Sequence, residues 1–153
     1  MPETPALAIR PATETDLPAI VALLADDPLG ATRESPDDLT PYLAAFKRLT
    51  EDPNQHLVVA VREDRVVGTL QLTIVPGLSR KGSTRSIIEG VRVHAGERGS
   101  GLGTRFVEWA IEKSREEHCD LVQLTSDATR TDAHRFYERL GFAASHIGFK
   151  LQL

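Results

Sequence analysis

The chain carries one cysteine, Cys119, in 153 residues. An internal disulfide framework is therefore excluded, and a reducing compartment fits. No apolar run approaches membrane-span length, and the first residues lack the basic and apolar regions of a signal peptide. The expectation is a cytoplasmic protein without a membrane partner. Positive charge is also scarce: 18 Lys+Arg stand against 22 Asp+Glu, for a net charge of −4. That balance argues against nucleic acid as the main partner. His56, His94, His118, His134 and His146 show no paired ligand spacing with Cys119, so no metal is expected. No serine stands in a nucleophile-elbow context, and Cys119 reads as a strand-start residue rather than a nucleophile. Repeats and low-complexity tracts are missing. With 41% hydrophobic and 26% charged residues, the composition is that of one globular domain, residues 1–153, long enough for a proper core.

The most informative stretch runs from Ile87 to Ile111. Ile87, Ile88, Val91 and Val93 supply β-branched strand residues. Gly96, Gly99, Gly101 and Gly103 crowd a turn. A helix then begins at about Leu102, with Leu102, Phe106, Val107, Trp109, Ala110 and Ile111 on a wide apolar arc. A glycine turn feeding a helix start leaves several backbone N–H groups unpaired around one spot, which suits a phosphate or pyrophosphate. A dinucleotide fingerprint fails because Thr104 fills its last glycine position, and the lysine and hydroxyl of a P-loop are absent. What stands is Arg98-Gly99-Ser100-Gly101-Leu102-Gly103. Together with Val91-Arg92-Val93 it resembles the coenzyme A pyrophosphate loop of the GNAT superfamily of N-acetyltransferases. A second block, Ala133 to Phe142, is similar to that superfamily's A-x-x-x-Y-x-x-x-GF segment, and it follows at the right distance.

The rest of the chain reads in order. Leu7 to Arg10 is a short strand; Thr13 or Thr15 caps a helix through Leu24, with Pro18 in its first turn. Asp26 to Asp38 is a polar connector, and Thr40-Pro41 opens a second helix with Tyr42, Leu43, Phe46 and Leu49 on one side. Leu57 to Val61 and Val66 to Val75 pair as a hairpin through the Glu63-Asp64-Arg65 turn. Pro76 to Gly82 is a basic loop, followed by a strand over Ser86 to His94. After the central helix come a strand at Leu121 to Thr125, a helix at Asp132 to Leu140 and a last strand at Phe149 to Leu153. By itself this order supports an α/β or α+β class with a mixed sheet. The resemblance implies a GNAT-like, mostly antiparallel central sheet flanked by helices.

The resemblance also implies a chemistry: an amine attacks acetyl-CoA directly, and no metal takes part. Val91, Arg92, Val93, Arg98, Gly99, Ser100, Gly101, Leu102, Gly103 and Thr104 would hold coenzyme A, with backbone around Val91 as oxyanion donor. Arg130 stands where superfamily members often have asparagine, and it could reach a phosphate instead. Tyr137 matches the tyrosine that protonates the departing sulfur, and a phenol near pKa 10 can donate to a thiolate; its alternative is a packed aromatic. Glu89 is the candidate base, acting through water. It lies in the run Ile87-Glu89-Val91-Val93, which shares one face if the strand is regular. Burial there would raise its pKa toward a working value, although a bulge near Gly90 would change its face. Alternatively it pairs with Arg85 or Arg130.

The acceptor would be a primary amine on a small molecule or a peptide. Asp26, Asp27, Glu34, Asp37 and Asp38 form an acidic stretch that could steer a cation or simply face water. A coenzyme A-binding module without turnover is the alternative to an enzyme, and a nucleotide-binding α/β domain is the third reading. Ile147, Phe149, Leu151 and Leu153 alternate along the last strand. An apolar edge strand needs cover, so a homodimer through this segment is expected; alternatively the strand inserts beside Leu121 to Thr125 and is covered within its own chain.

Overall fold

Alternating apolar residues build the sheet. In the computed structural model, which describes residue 3 and residues 5–153, β1 (Leu7–Pro11), β2 (Gln55–Arg62), β3 (Arg65–Pro76) and β4 (Thr84–Val93) are antiparallel neighbours. β5 (Leu121–Leu124) completes the order β1-β2-β3-β4-β5 and forms an edge. Glu63 and Asp64 both have positive φ, 50° and 60°. They close the β2–β3 hairpin as a two-residue turn between Arg62 and Arg65, the turn whose twist matches paired strands.

Strand parity then decides what each face carries. Val59, paired with Thr69, packs with Leu17 and Ile20 of helix α1 (Leu17–Ala25). Phe46 of α2 (Thr40–Glu51) packs on the same cluster. Ala60 is paired with Gly68, and these two face the other way. That side takes α3 (Leu102–Glu116), whose Leu102, Phe106, Val107, Ala110 and Ser114 are buried. The Ser114 hydroxyl donates to the Ala110 carbonyl at 2.7 Å and shares a 2.7 Å hydrogen bond with the buried Ser86 of β4.

Gly68 is the tightest point of this contact. A Cβ there would lie 2.4 Å from Cε2 of Phe106 and 3.1 Å from the Arg92 carbonyl oxygen. Phe106 is fully buried and cannot swing away. Gly68→Ala should therefore cost about 1–3 kcal/mol as an overpacked core, read as a lower midpoint in urea unfolding.

The chain divides into two compact units, Met1–Gln123 and Leu124–Leu153. The second holds helix α4 (Thr131–Arg139) and residues 142–153. The expected strand at Phe149 to Leu153 is not formed: residues 142–153 have no regular secondary structure. A strand is defined by its neighbour, and alternation in a sequence cannot supply one. The connector expected over Asp26 to Asp38 contains a short helical turn, Gly30–Arg33, whose first amide, Gly30 N–H, donates to the Asp27 carboxylate.

Candidate functional site

The glycine turn places a row of donors at the start of α3. Gly99 and Gly101 hold φ of 78° and 81°, the left-handed region that glycine enters without strain. A Cβ at either position would meet nothing within 4 Å, so open space lies beside both backbones. Ser100 N–H donates to Glu97 O and Arg105 N–H to Gly101 O. Among the described residues, the N–H groups of Gly99, Gly101, Gly103 and Thr104 find no backbone carbonyl. The positive end of the α3 dipole adds to them, so the loop is built to receive an anion. Arg98 and Ser100 are exposed beside this cradle, and Leu102 is buried as its anchor in the core.

The loop is held from behind by a contact that no sequence pattern marks. Glu97 accepts from Arg62 Nε at 2.9 Å and Nη2 at 3.2 Å, although the two lie 35 positions apart. Arg62 also donates through Nη1 to the Pro5 carbonyl. The hydrogen bonds from Arg62 hold the Glu97 carboxyl below its ordinary value of 4.5. A depressed carboxyl contributes stability above its unfolded pKa and loses it as pH falls through the folded one. The melting-temperature difference between wild type and Glu97→Gln should thus be constant above about pH 5 and shrink below it. A difference that grows on acidification would contradict the pairing.

The irregularity expected near Gly90 is present. Thr69 pairs with Arg92 and Gln71 with Glu89, so β4 carries one extra residue there, with Gly90 at φ 61°. The bulge reverses parity along β4. Glu89 shares a face with Arg92, while Val93, opposite Gly68, shares the other face with Ile88. Glu89 is exposed rather than seated in an apolar stripe, so the burial invoked to tune it is absent. Arg85 does not pair with it; that guanidinium donates to Gln123 at 3.0 Å. Arg92 is also committed. Its Nε lies 3.1 Å from Asp27, and its Nη1 donates to the Val91 carbonyl. Val91 and Val93 are half-buried.

That pair also thins the acidic stretch. Asp27 is held below the ordinary carboxylate range by the Gly30 N–H and by Arg92. Asp38 is held low by hydrogen bonds from Thr40. Both have local structural work.

In the second unit, the Tyr137 ring makes edge contacts with Phe136 at 5.1 Å and Phe142 at 5.9 Å. Its carbonyl accepts from the N–H groups of Leu140 and Phe142, closing the end of α4. Gly141, at φ 98°, lets the chain leave there. Arg130 precedes the first turn of α4 and is exposed. Of the remaining candidates, Cys119 is half-buried, and burial, with Glu117 and Asp120 nearby, pushes its thiol up, away from the reactive thiolate. Among the described residues, no group of three His, Cys, Asp or Glu could hold a metal, and no helix is long and apolar enough to cross a membrane.

Comparison with known proteins gives a consistent picture. The acetyltransferase (GNAT) family model matches residues 17–142. An aminoalkylphosphonate N-acetyltransferase of Salmonella typhimurium is 31% identical over 145 residues, 95% of this chain and 90% of that one. A glucosamine 6-phosphate N-acetyltransferase of Trypanosoma brucei brucei is 37% identical over 89 residues, 58% of each chain. Among solved structures, a protein of Bacillus halodurans described as a transcriptional regulator superposes with a TM-score of 0.93 at 48% identity, over 97% of this chain and all of that one. A Trypanosoma brucei acetyltransferase superposes with a TM-score of 0.75 at 30% identity, over 97% and 100%.

Proposed function

Because the chain belongs to the GNAT family of acetyltransferases, we propose that it transfers the acetyl group of acetyl-CoA directly to the primary amine of a small molecule. The observation that carries this is the cradle: four N–H groups without carbonyl partners, two left-handed glycines and open space beside them. Arg98 and the backbone from Gly99 to Thr104 take the pyrophosphate, and the edges of Val91 and Val93 take the pantetheine arm as an added strand would. Acetyl-CoA supplies the activated thioester. Val91 N–H stabilises the oxyanion as the amine attacks. Tyr137 gives its phenolic proton to the departing sulfur. Glu89 acts through water, taking the proton the amine must lose. Arg130 contributes charge toward a phosphate. The Arg92 side chain serves mainly to tie β4 to Asp27, leaving its backbone for the cofactor. The two compact units act as one acetyltransferase domain, in keeping with a family match that spans both. We place it in the cytoplasm.

The acceptor class that fits best is a small amine bearing a phosphonate or phosphate. Two relatives are named for such amines, one of them along nearly the full chain. Turnover on a short aminoalkylphosphonate should exceed that on the amino alcohol of equal length by at least about tenfold in kcat/KM, since one charge-assisted hydrogen bond is worth that much. Equal rates on both would remove the phosphonate preference.

A further inference from the structure

Half-buried cations in this chain are matched with carboxylates, with one exception. Among the described residues, the half-buried Lys and Arg side chains are Arg62, Arg85, Arg92 and Lys113. Arg62 pairs with Glu97, Arg92 with Asp27 and Lys113 with Glu117. Arg85 has no carboxylate partner; its Nη1 donates to the neutral amide of Gln123 on β5 at 3.0 Å. Its Nε and Nη2 find no partner among the described residues, and neither is buried. These two atoms form one edge of the guanidinium, the same edge that Arg62 turns to the two oxygens of Glu97. A charge drawn part-way out of water beside a neutral amide is costly until an anion joins it. Tying β4 to β5 through Gln123 needs Nη1 alone and gives the other edge no use.

We propose that Arg85 is the residue that selects the acceptor: its Nε and Nη2 take two oxygens of the acceptor's phosphonate or phosphate, while the amine at the other end of the molecule meets Glu89 and Gln71. The inference rests on the acetyl-transfer reading given above and adds to it the group that makes the choice of substrate. Strand register carries it. Arg85, Ile87 and Glu89 share one face of β4, opposite Val75, Thr73 and Gln71 of β3, and the bulge falls beyond Glu89, so parity holds along this stretch. Four strand residues span about 13 Å. Long side chains at both ends reach into that interval, which leaves room for a short aminoalkyl chain lying over Ile87. Gln71 Nε2 donates to Gln55 Oε1 at 2.9 Å, and Thr73 Oγ1 donates to the same oxygen at 2.9 Å. The Gln71 amide is thereby fixed, and among the described residues its Oε1 accepts no hydrogen bond, so it can receive the amine. A planar guanidinium edge matches two oxygens of a tetrahedral anion in a way that a lysine does not.

Steady-state kinetics and NMR on the intact chain test this. Wild type and Arg85→Gln are compared on a short aminoalkylphosphonate and on the amino alcohol of equal length. The phosphonate-to-alcohol ratio of kcat/KM should fall by about 10- to 100-fold in Arg85→Gln, the worth of a hydrogen bond to a charged group. The fall should lie mostly in KM for the phosphonate, and Arg85→Lys should recover part of it. Acetyl-CoA affinity, set at the glycine loop, shows that each variant is folded. A ratio unchanged by Arg85→Gln, or an equal loss on both substrates, would overturn the proposal and leave the acetyl-transfer reading standing. The second readout needs no turnover and no variant. With coenzyme A filling the cradle, methylphosphonate should shift the Arg85 Nε–H resonance of the wild type to saturation. Absence of a saturable shift would overturn the proposal. A saturable shift in a protein that releases thiol with no amine would keep Arg85 as an anion site and remove the acetyl-transfer reading instead.

Discussion

Replacing Gly101 with valine should lower acetyl-CoA affinity by about 100-fold or more while the protein remains folded. The size follows from losing two or so charge-assisted hydrogen bonds, each worth roughly 1.5–3 kcal/mol. Gly101 sits at φ 81° immediately before the first residue of α3. Valine disfavours that conformation by about 1–2 kcal/mol, so the turn would shift and take the neighbouring N–H groups out of line. Its side chain would also project into the space where the anion has to approach. The fold should tolerate the change, because a Cβ at Gly101 meets no protein atom within 4 Å. Gly101→Asn separates the two causes, since asparagine accepts the left-handed region. Asparagine should keep the turn and lose only what occlusion costs. Calorimetric titration with acetyl-CoA reads both variants; wild-type affinity in a folded Gly101→Val protein would displace the cradle.

Tyr137→Phe should reduce kcat by about 10²- to 10⁴-fold, the usual worth of a positioned general acid, with acetyl-CoA affinity nearly unchanged. The substitution keeps the ring and therefore its edge contacts with Phe136 and Phe142. It also keeps the backbone carbonyl that closes α4. The loss should be smaller for an acyl donor whose leaving thiol has a low pKa, because such a thiolate needs no proton. Uniform loss across donors, or none, would make Tyr137 a packing residue.

Local patterns were readable from the sequence, and long-range pairings were not. Leu102, Phe106, Val107 and Ala110 announce the inward face of α3 by spacing alone, and they are buried. The glycine turn announces itself because few other residues hold φ near 80°. Arg62 and Glu97 share no such signal, as nothing in a sequence ties residues 35 positions apart. For the same reason the pairing of the Arg92 side chain with Asp27 carries no mark in the sequence. The position of Glu89 turned on one extra residue in β4, and an extra residue reverses every face beyond it. The last segment shows the limit most clearly. Its alternation is that of a strand, but residues 142–153 form no regular secondary structure and Phe149 is exposed.

The most direct measurement is release of free thiol from acetyl-CoA by the purified protein with a panel of small amines, short aminoalkylphosphonates among them. The account predicts amine-dependent release, one acetamide formed per thiol, with turnover lost in Tyr137→Phe and binding lost in Gly101→Val. Tight acetyl-CoA binding with no thiol released by any amine would contradict it and leave a coenzyme A-binding module in place of an enzyme.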